Sequence, residues 1–74
     1  MRANAKNLID QNIANRLFVL RKSKNFSQRE IGNILKVSAQ QVQKIENCEN
    51  KLSHRQAYLI IEHFGLSPDY FYRV

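Results

Sequence analysis

Just past the middle of the chain stand four side chains suited to reading a polar ladder: Gln40, Gln41, Gln43 and Lys44. A glutamine carboxamide offers a donor beside an acceptor, which matches the N6/N7 edge of adenine in the major groove of a DNA duplex. A lysine ammonium donates to O6 and N7 of guanine in the same groove. The more reactive types, Cys48, His54 and His63, form no comparable constellation. The two histidines fall on different faces of any helix that holds them both, and neither makes a recognisable ligand pair with Cys48. A cysteine–histidine hydrolase needs a pocket that 74 residues can hardly enclose. No enzyme, metal or cofactor is therefore expected.

Charge points the same way. Twelve Lys and Arg against six Asp and Glu leave a formal net charge of +6. Between Arg21 and Arg55, eight basic residues (Arg21, Lys22, Lys24, Arg29, Lys36, Lys44, Lys51 and Arg55) face only Glu30, Glu46 and Glu49, a net +5. Cationic side chains release condensed counterions when they meet phosphates, so a polyanion partner is favoured. Composition alone also allows a solvated basic surface with no partner. A lone cysteine permits no internal disulfide and suits a reducing compartment. No apolar run reaches the roughly 18 residues of a membrane span, and none follows the basic N-terminus as in a secretory signal. The expected compartment is the cytoplasm, with no membrane partner.

These side chains need elements to hold them, and the helix starts are legible. In a capping box, Ser at the N-cap and Glu or Gln three residues later each satisfy a backbone N–H left over at the helix start. Ser27-Gln28-Arg29-Glu30, Ser38-Ala39-Gln40-Gln41 and Ser53-His54-Arg55-Gln56 all fit. Ser67-Pro68-Asp69 marks a further start, with Pro where its missing N–H costs nothing. Asp10 can open the first helix, and Gly65 can close the fourth in a left-handed conformation. The pattern predicts an all-α fold of five helices near 11–24, 28–35, 39–47, 54–64 and 68–72. Residues 1–9 form a flexible N-terminal arm, and residues 10–74 a single domain. Helical phase puts Ile13, Leu17 and Leu20 on one face, then Ile31 with Leu35, Val42 with Ile45, and Ala57 with Ile60, Ile61 and Phe64. With Val37, Leu66 and Phe71 they make one core.

Only Lys36-Val37-Ser38 separates the second and third helices, and so short a link forces a steep crossing, the helix-turn-helix arrangement. Gly32 sits inside the second helix, where glycine costs about 1 kcal/mol relative to alanine. Close passage of the third helix would explain it. At these residues the chain resembles the lambda repressor and Cro-like family (XRE type). The shared features are Ser27-Gln28, the small Gly32, the Val37-Ser38 turn and Ile45-Glu46, and the likeness runs without a gap from about Ile13 to Phe71. The stretch from Val37 to Lys44, Asn50-Lys51 and the tail Ser67-Pro68-Asp69-Tyr70-Phe71 are also similar to single-domain regulators common in alphaproteobacteria. The resemblance implies a five-helix, lambda-repressor-like DNA-binding domain.

With Val42 and Ile45 inward, the outer face of the third helix carries Gln40, Lys44 and Asn47, with Gln43 at its flank. Gln40 and Lys44 are the expected principal base readers, and Gln43 and Gln41 contributors. Ala39 opens the helix where relatives often carry a larger side chain, and its methyl can meet a thymine methyl. The resemblance gives Gln28 a phosphate contact at the start of the second helix. It gives Asn47, Asn50 and Lys51 backbone contacts after the third, which set register without carrying sequence information. It also implies a partly buried ion pair between Arg21 and Glu46 that holds the recognition helix.

Two positions depart from the family, which often has glycine where Lys36 and Cys48 stand. A left-handed backbone there costs a non-glycine residue roughly 1 kcal/mol or more. Lys36 can compensate by attracting phosphate. Cys48 reads as a passive helix-end substitution, with a redox-sensitive thiol as the sharper alternative.

Family members usually dimerise, so that two recognition helices meet successive major-groove turns. Tyr58 and Leu59 of the fourth helix, with Tyr70, Phe71 and Tyr72, are the expected self-complementary patch. Phe18 and Val19 point away from the core face without an obvious duty. The function that follows is a sequence-specific double-stranded-DNA regulator, a repressor by family analogy, acting as a homodimer on an inverted-repeat operator. Two alternatives stay open. One is an autorepressing antitoxin that binds a toxin through Phe18 and the C-terminal aromatics. The other is a protein-interaction module that uses the scaffold without reading DNA. RNA is disfavoured, since the outer face lacks aromatics for stacking unpaired bases.

Overall fold

The computed structural model describes residues 8–72. Four α-helices follow one another: α1 (Leu8–Ser23), α2 (Gln28–Leu35), α3 (Ala39–Glu46) and α4 (His54–Phe64). A single 3-10 turn, Tyr70–Tyr72, closes the domain. The arrangement is all-α, with α2 and α3 packed most extensively on each other.

Each expected capping box is present. Ser27, Ser38 and Ser53 accept from the backbone N–H three residues on, while Glu30, Gln41 and Gln56 reach back to the serine N–H. The first helix starts earlier than Asp10 predicts. It begins at Leu8, so Asp10 lies in the first turn, where its charge faces the positive end of the helix dipole. Of the expected arm, Leu8 and Ile9 are helical, and the residues before them lie outside the described residues.

The helix ends share one device, expected at Lys36, Cys48 and Gly65 and found at Asn25 as well. Asn25, Lys36, Cys48 and Gly65 are all left-handed, with φ of 60°, 64°, 65° and 66°. The residue after each donates its N–H five positions back, from Phe26 to Arg21, Val37 to Gly32, Glu49 to Lys44 and Leu66 to Ile61. Bonds of this span satisfy carbonyls that a helix end would otherwise leave without donors. Gly65 adopts this geometry without steric penalty, whereas the other three hold it with a Cβ present.

The expected fifth helix is not formed. Tyr70 donates to Ser67 and Tyr72 to Asp69, both three residues back, and the Ser67 hydroxyl bonds the Asp69 carboxylate. A segment of five residues gains too few bonds to offset helix nucleation. The tighter turn nonetheless drives Phe71 into the core.

That core comprises Leu17, Leu20, Ile31, Leu35, Val42, Ile45, Leu52, Ala57, Ile60 and Phe71, all buried. Ile13, Val37, Ile61, Phe64 and Leu66 pack half-buried against it. Leu52 was missing from the expected core because it sits in a loop, where no periodicity marks it. Phe26, another loop residue, packs edge-on against Phe64 with ring centroids 5.2 Å apart.

Candidate nucleic-acid interface

The surface of interest depends on how α3 is held, and that begins with Gly32. A Cβ built on Gly32 would lie 2.5 Å from the Val37 carbonyl oxygen and 3.3 Å from the Ser38 carbonyl carbon. Backbone meets backbone here, so no side-chain rotation could relieve the clash. The small residue therefore sets the approach of the turn to α2, and the turn aims α3.

A second support is electrostatic. Arg21 Nε donates to Glu46 Oε2 at 2.7 Å and Nη2 to Oε1 at 3.1 Å, a bidentate pair between α1 and α3. Arg21 is 9% exposed and Glu46 3%. The remaining Nη1 donates to the Phe26 carbonyl, and the Phe18 ring lies 5.5 Å from the guanidinium carbon. Phe18 thus has a duty that helical phase hid: it covers the ion pair from outside α1's core face.

Gln28 belongs to the same network. Its Nε2 donates to Glu46 Oε1 at 3.2 Å, and the side chain is half-buried. The expected phosphate-gripping amide is thereby oriented toward α3, and its second N–H stays available for an acceptor. Eighteen residues separate Gln28 from Glu46, so no local sequence signal announces the bond.

With Val42, Ile45 and Glu46 buried, α3 exposes Gln40, Gln41, Gln43 and Lys44, followed by Asn47. Gln40, Lys44 and Asn47 share the outward face, and Gln43 and Gln41 lie on opposite flanks. Ala39 is half-buried. Lys36, Asn50 and Lys51 are exposed in the segments on either side of α3, and the Asn50 N–H is fixed to the Lys44 carbonyl at 3.3 Å. Cys48 is buried, which leaves its thiol little access to oxidants.

The expected dimer patch needs correction. Phe71 is 0% exposed and offers no side-chain surface to a partner, because the 3-10 turn points it into the core. Leu59 is half-buried and lines a shallow groove with Ile34 of α2. Tyr70 is half-buried against Phe71, with Arg16 over its ring. Tyr58 and Tyr72 remain open, at 58% and 42% exposure. The Tyr58 hydroxyl donates to Glu62, and this bond together with the carboxylate charge raises its pKa above the ordinary tyrosine range. The Tyr72 hydroxyl lies 3.1 Å from His54 Nδ1. The His63 ring packs against Phe26 and Phe64. Among the described residues, no group of three His, Cys, Asp or Glu is placed to hold a metal ion, and no helix is long and apolar enough to cross a membrane.

A helix-turn-helix family profile matches residues 19–71, and the chain belongs to this helix-turn-helix family of the XRE type. It is similar to an uncharacterized HTH-type transcriptional regulator from Rickettsia conorii, 33% identical over 64 residues that cover 86% of this chain and 51% of that protein. A second, from Rickettsia prowazekii, is 33% identical over 64 residues, covering 86% of this chain and 49% of its own length. The chain thus spans about half the length of these relatives. No solved structure matches it.

Proposed function

We propose that the chain is a sequence-specific regulator of transcription that inserts α3 into the major groove of double-stranded DNA and acts as a repressor. The observation that carries this reading is the outer face of α3: Gln40 and Lys44 are exposed while Val42, Ile45 and Glu46 anchor the same helix in the core. Eight residues make a helix about 12 Å long, which fits the groove. In this reading Gln40 and Lys44 read bases with Gln43, while Lys36, Asn47, Asn50, Lys51 and the second N–H of Gln28 hold phosphates.

The domain measures 28 × 25 × 22 Å, less than the roughly 34 Å between successive major-groove turns on one side of a duplex. One copy therefore covers one half-site, and two copies related by a two-fold axis read an inverted repeat. Tyr58 and Tyr72 supply the exposed aromatic surface for that contact. The reading calls for no cofactor and places the protein with the DNA in the cytoplasm.

Selection of bound duplexes from a random pool at physiological salt tests it. The expected outcome is an enriched inverted repeat with half-sites about one helical turn apart. Binding that fades steeply with salt and enriches no sequence would overturn it in favour of a scaffold that does not read DNA.

A further inference from the structure

Three glutamines stand on α3, and the capping box at Ser38 separates one from the others. Gln40 and Gln43 hold no side-chain hydrogen bond among the described residues, so each can turn donor and acceptor together toward a base edge. Gln41 differs. Its Oε1 accepts from the Ser38 N–H at 3.2 Å, while its own N–H donates to Ser38 Oγ at 3.1 Å. The chemistry of the bond fixes which way the amide points, because a backbone N–H requires an acceptor and only the oxygen is one. The carbonyl is thus turned back onto the helix start, and Nε2 is left at the exposed flank.

From this geometry we infer that Gln41 is a donor-only DNA-contact residue, whose Nε2 binds an acceptor on the duplex and which takes no part in adenine recognition. Adenine pairing needs carboxamide oxygen and nitrogen side by side along the N6/N7 edge. The capping box removes the oxygen from that edge. What remains matches a phosphate oxygen, guanine O6 or N7, or thymine O4, all of them acceptors. Any adenine preference then belongs to Gln40 or Gln43. A cap built with glutamate, as Glu30 does in α2, would place a carboxylate on this flank, whereas Gln41 closes the same box with a donor facing outward.

The inference rests on the proposed DNA reading, and its test separates the two. Gln41→Ala and Gln56→Ala each remove one capping-box bond, and Gln56 caps α4 in the same way. Both variants are first shown folded by thermal melts, with duplex binding measured well below either midpoint. The expected result is a loss of roughly tenfold or more in duplex affinity for Gln41→Ala, in the range of one lost polar contact, and little change for Gln56→Ala. Random-pool profiles locate the acceptor: a loss uniform over sequences marks a phosphate, and a loss confined to one guanine or thymine position marks a base. Equal losses in the two variants, or an adenine preference that disappears with Gln41, would overturn the inference while leaving the regulator reading intact. A wild-type chain that binds no duplex would sink both.

Discussion

Gly32 and Lys36 sit four residues apart and show opposite uses of glycine. By helix propensity alone, Gly32→Ala should gain about 1 kcal/mol. The Cβ placed 2.5 Å from the Val37 carbonyl oxygen decides otherwise. Forcing the turn away from α2 costs roughly 1–3 kcal/mol or more as overpacking, so the expected outcome is a net loss, read as a lower denaturation midpoint. A stabilised Gly32→Ala would show that the turn is not packed as described. Lys36 has the converse problem, a Cβ at φ 64°. Relief of about 1–2 kcal/mol of strain exceeds the roughly 0.5–1 kcal/mol of extra unfolded-state entropy that glycine brings. Lys36→Gly should therefore raise the melting temperature by a few degrees, the shift expected of a domain this small for well under 1 kcal/mol. An unchanged or lower midpoint would contradict the strain. Cys48→Gly should gain less, because its side chain is buried and the substitution also removes packing.

Among the elements, α3 is held by two unlike attachments, apolar contact through Val42 and Ile45 and the Arg21–Glu46 pair. Breaking one partner of a buried pair leaves the other charge uncompensated, at about 3–5 kcal/mol. Glu46→Ala should destabilise the domain by that order in denaturant titration, a large part of what so small a core supplies. It should also release Gln28, which bonds the same carboxylate. A loss under about 1 kcal/mol would mean that packing alone orients α3. The segment after α3 has a different task. Lys51→Ala should weaken all duplexes alike and lower the salt slope by about one, the signature of one phosphate contact. A loss that depends on sequence would contradict that assignment.

At the scale of the whole molecule, the open question of assembly narrows to the exposed tyrosines. Leu59 and Phe71 pack against or within the core, so changing them would confuse association with folding. Tyr58 is the cleaner probe. Tyr58→Arg keeps a partner for Glu62 and places a charge where two copies would meet. In sedimentation the variant should shift toward monomer and lose affinity for a two-half-site duplex more than for a single half-site. An unaltered dimer population would move the interface elsewhere.

Much of this protein was written in local residue order. Three serines with Glu or Gln three positions on marked α2, α3 and α4, and apolar residues at helical spacing marked α1 and showed which face of each helix turned inward, because caps and amphipathic phase act over a single turn. Gly32 and the short Lys36–Ser38 link told of the close crossing for the same reason. Tertiary structure alone decided the rest. It made the C-terminal segment a 3-10 turn in place of a helix, removed Phe71 from the expected dimer patch, gave Phe18 the ion pair to cover and tied Gln28 to Glu46. Each of these depends on which distant neighbour fills a given space, and the spacing of residues along a chain carries no measure of that.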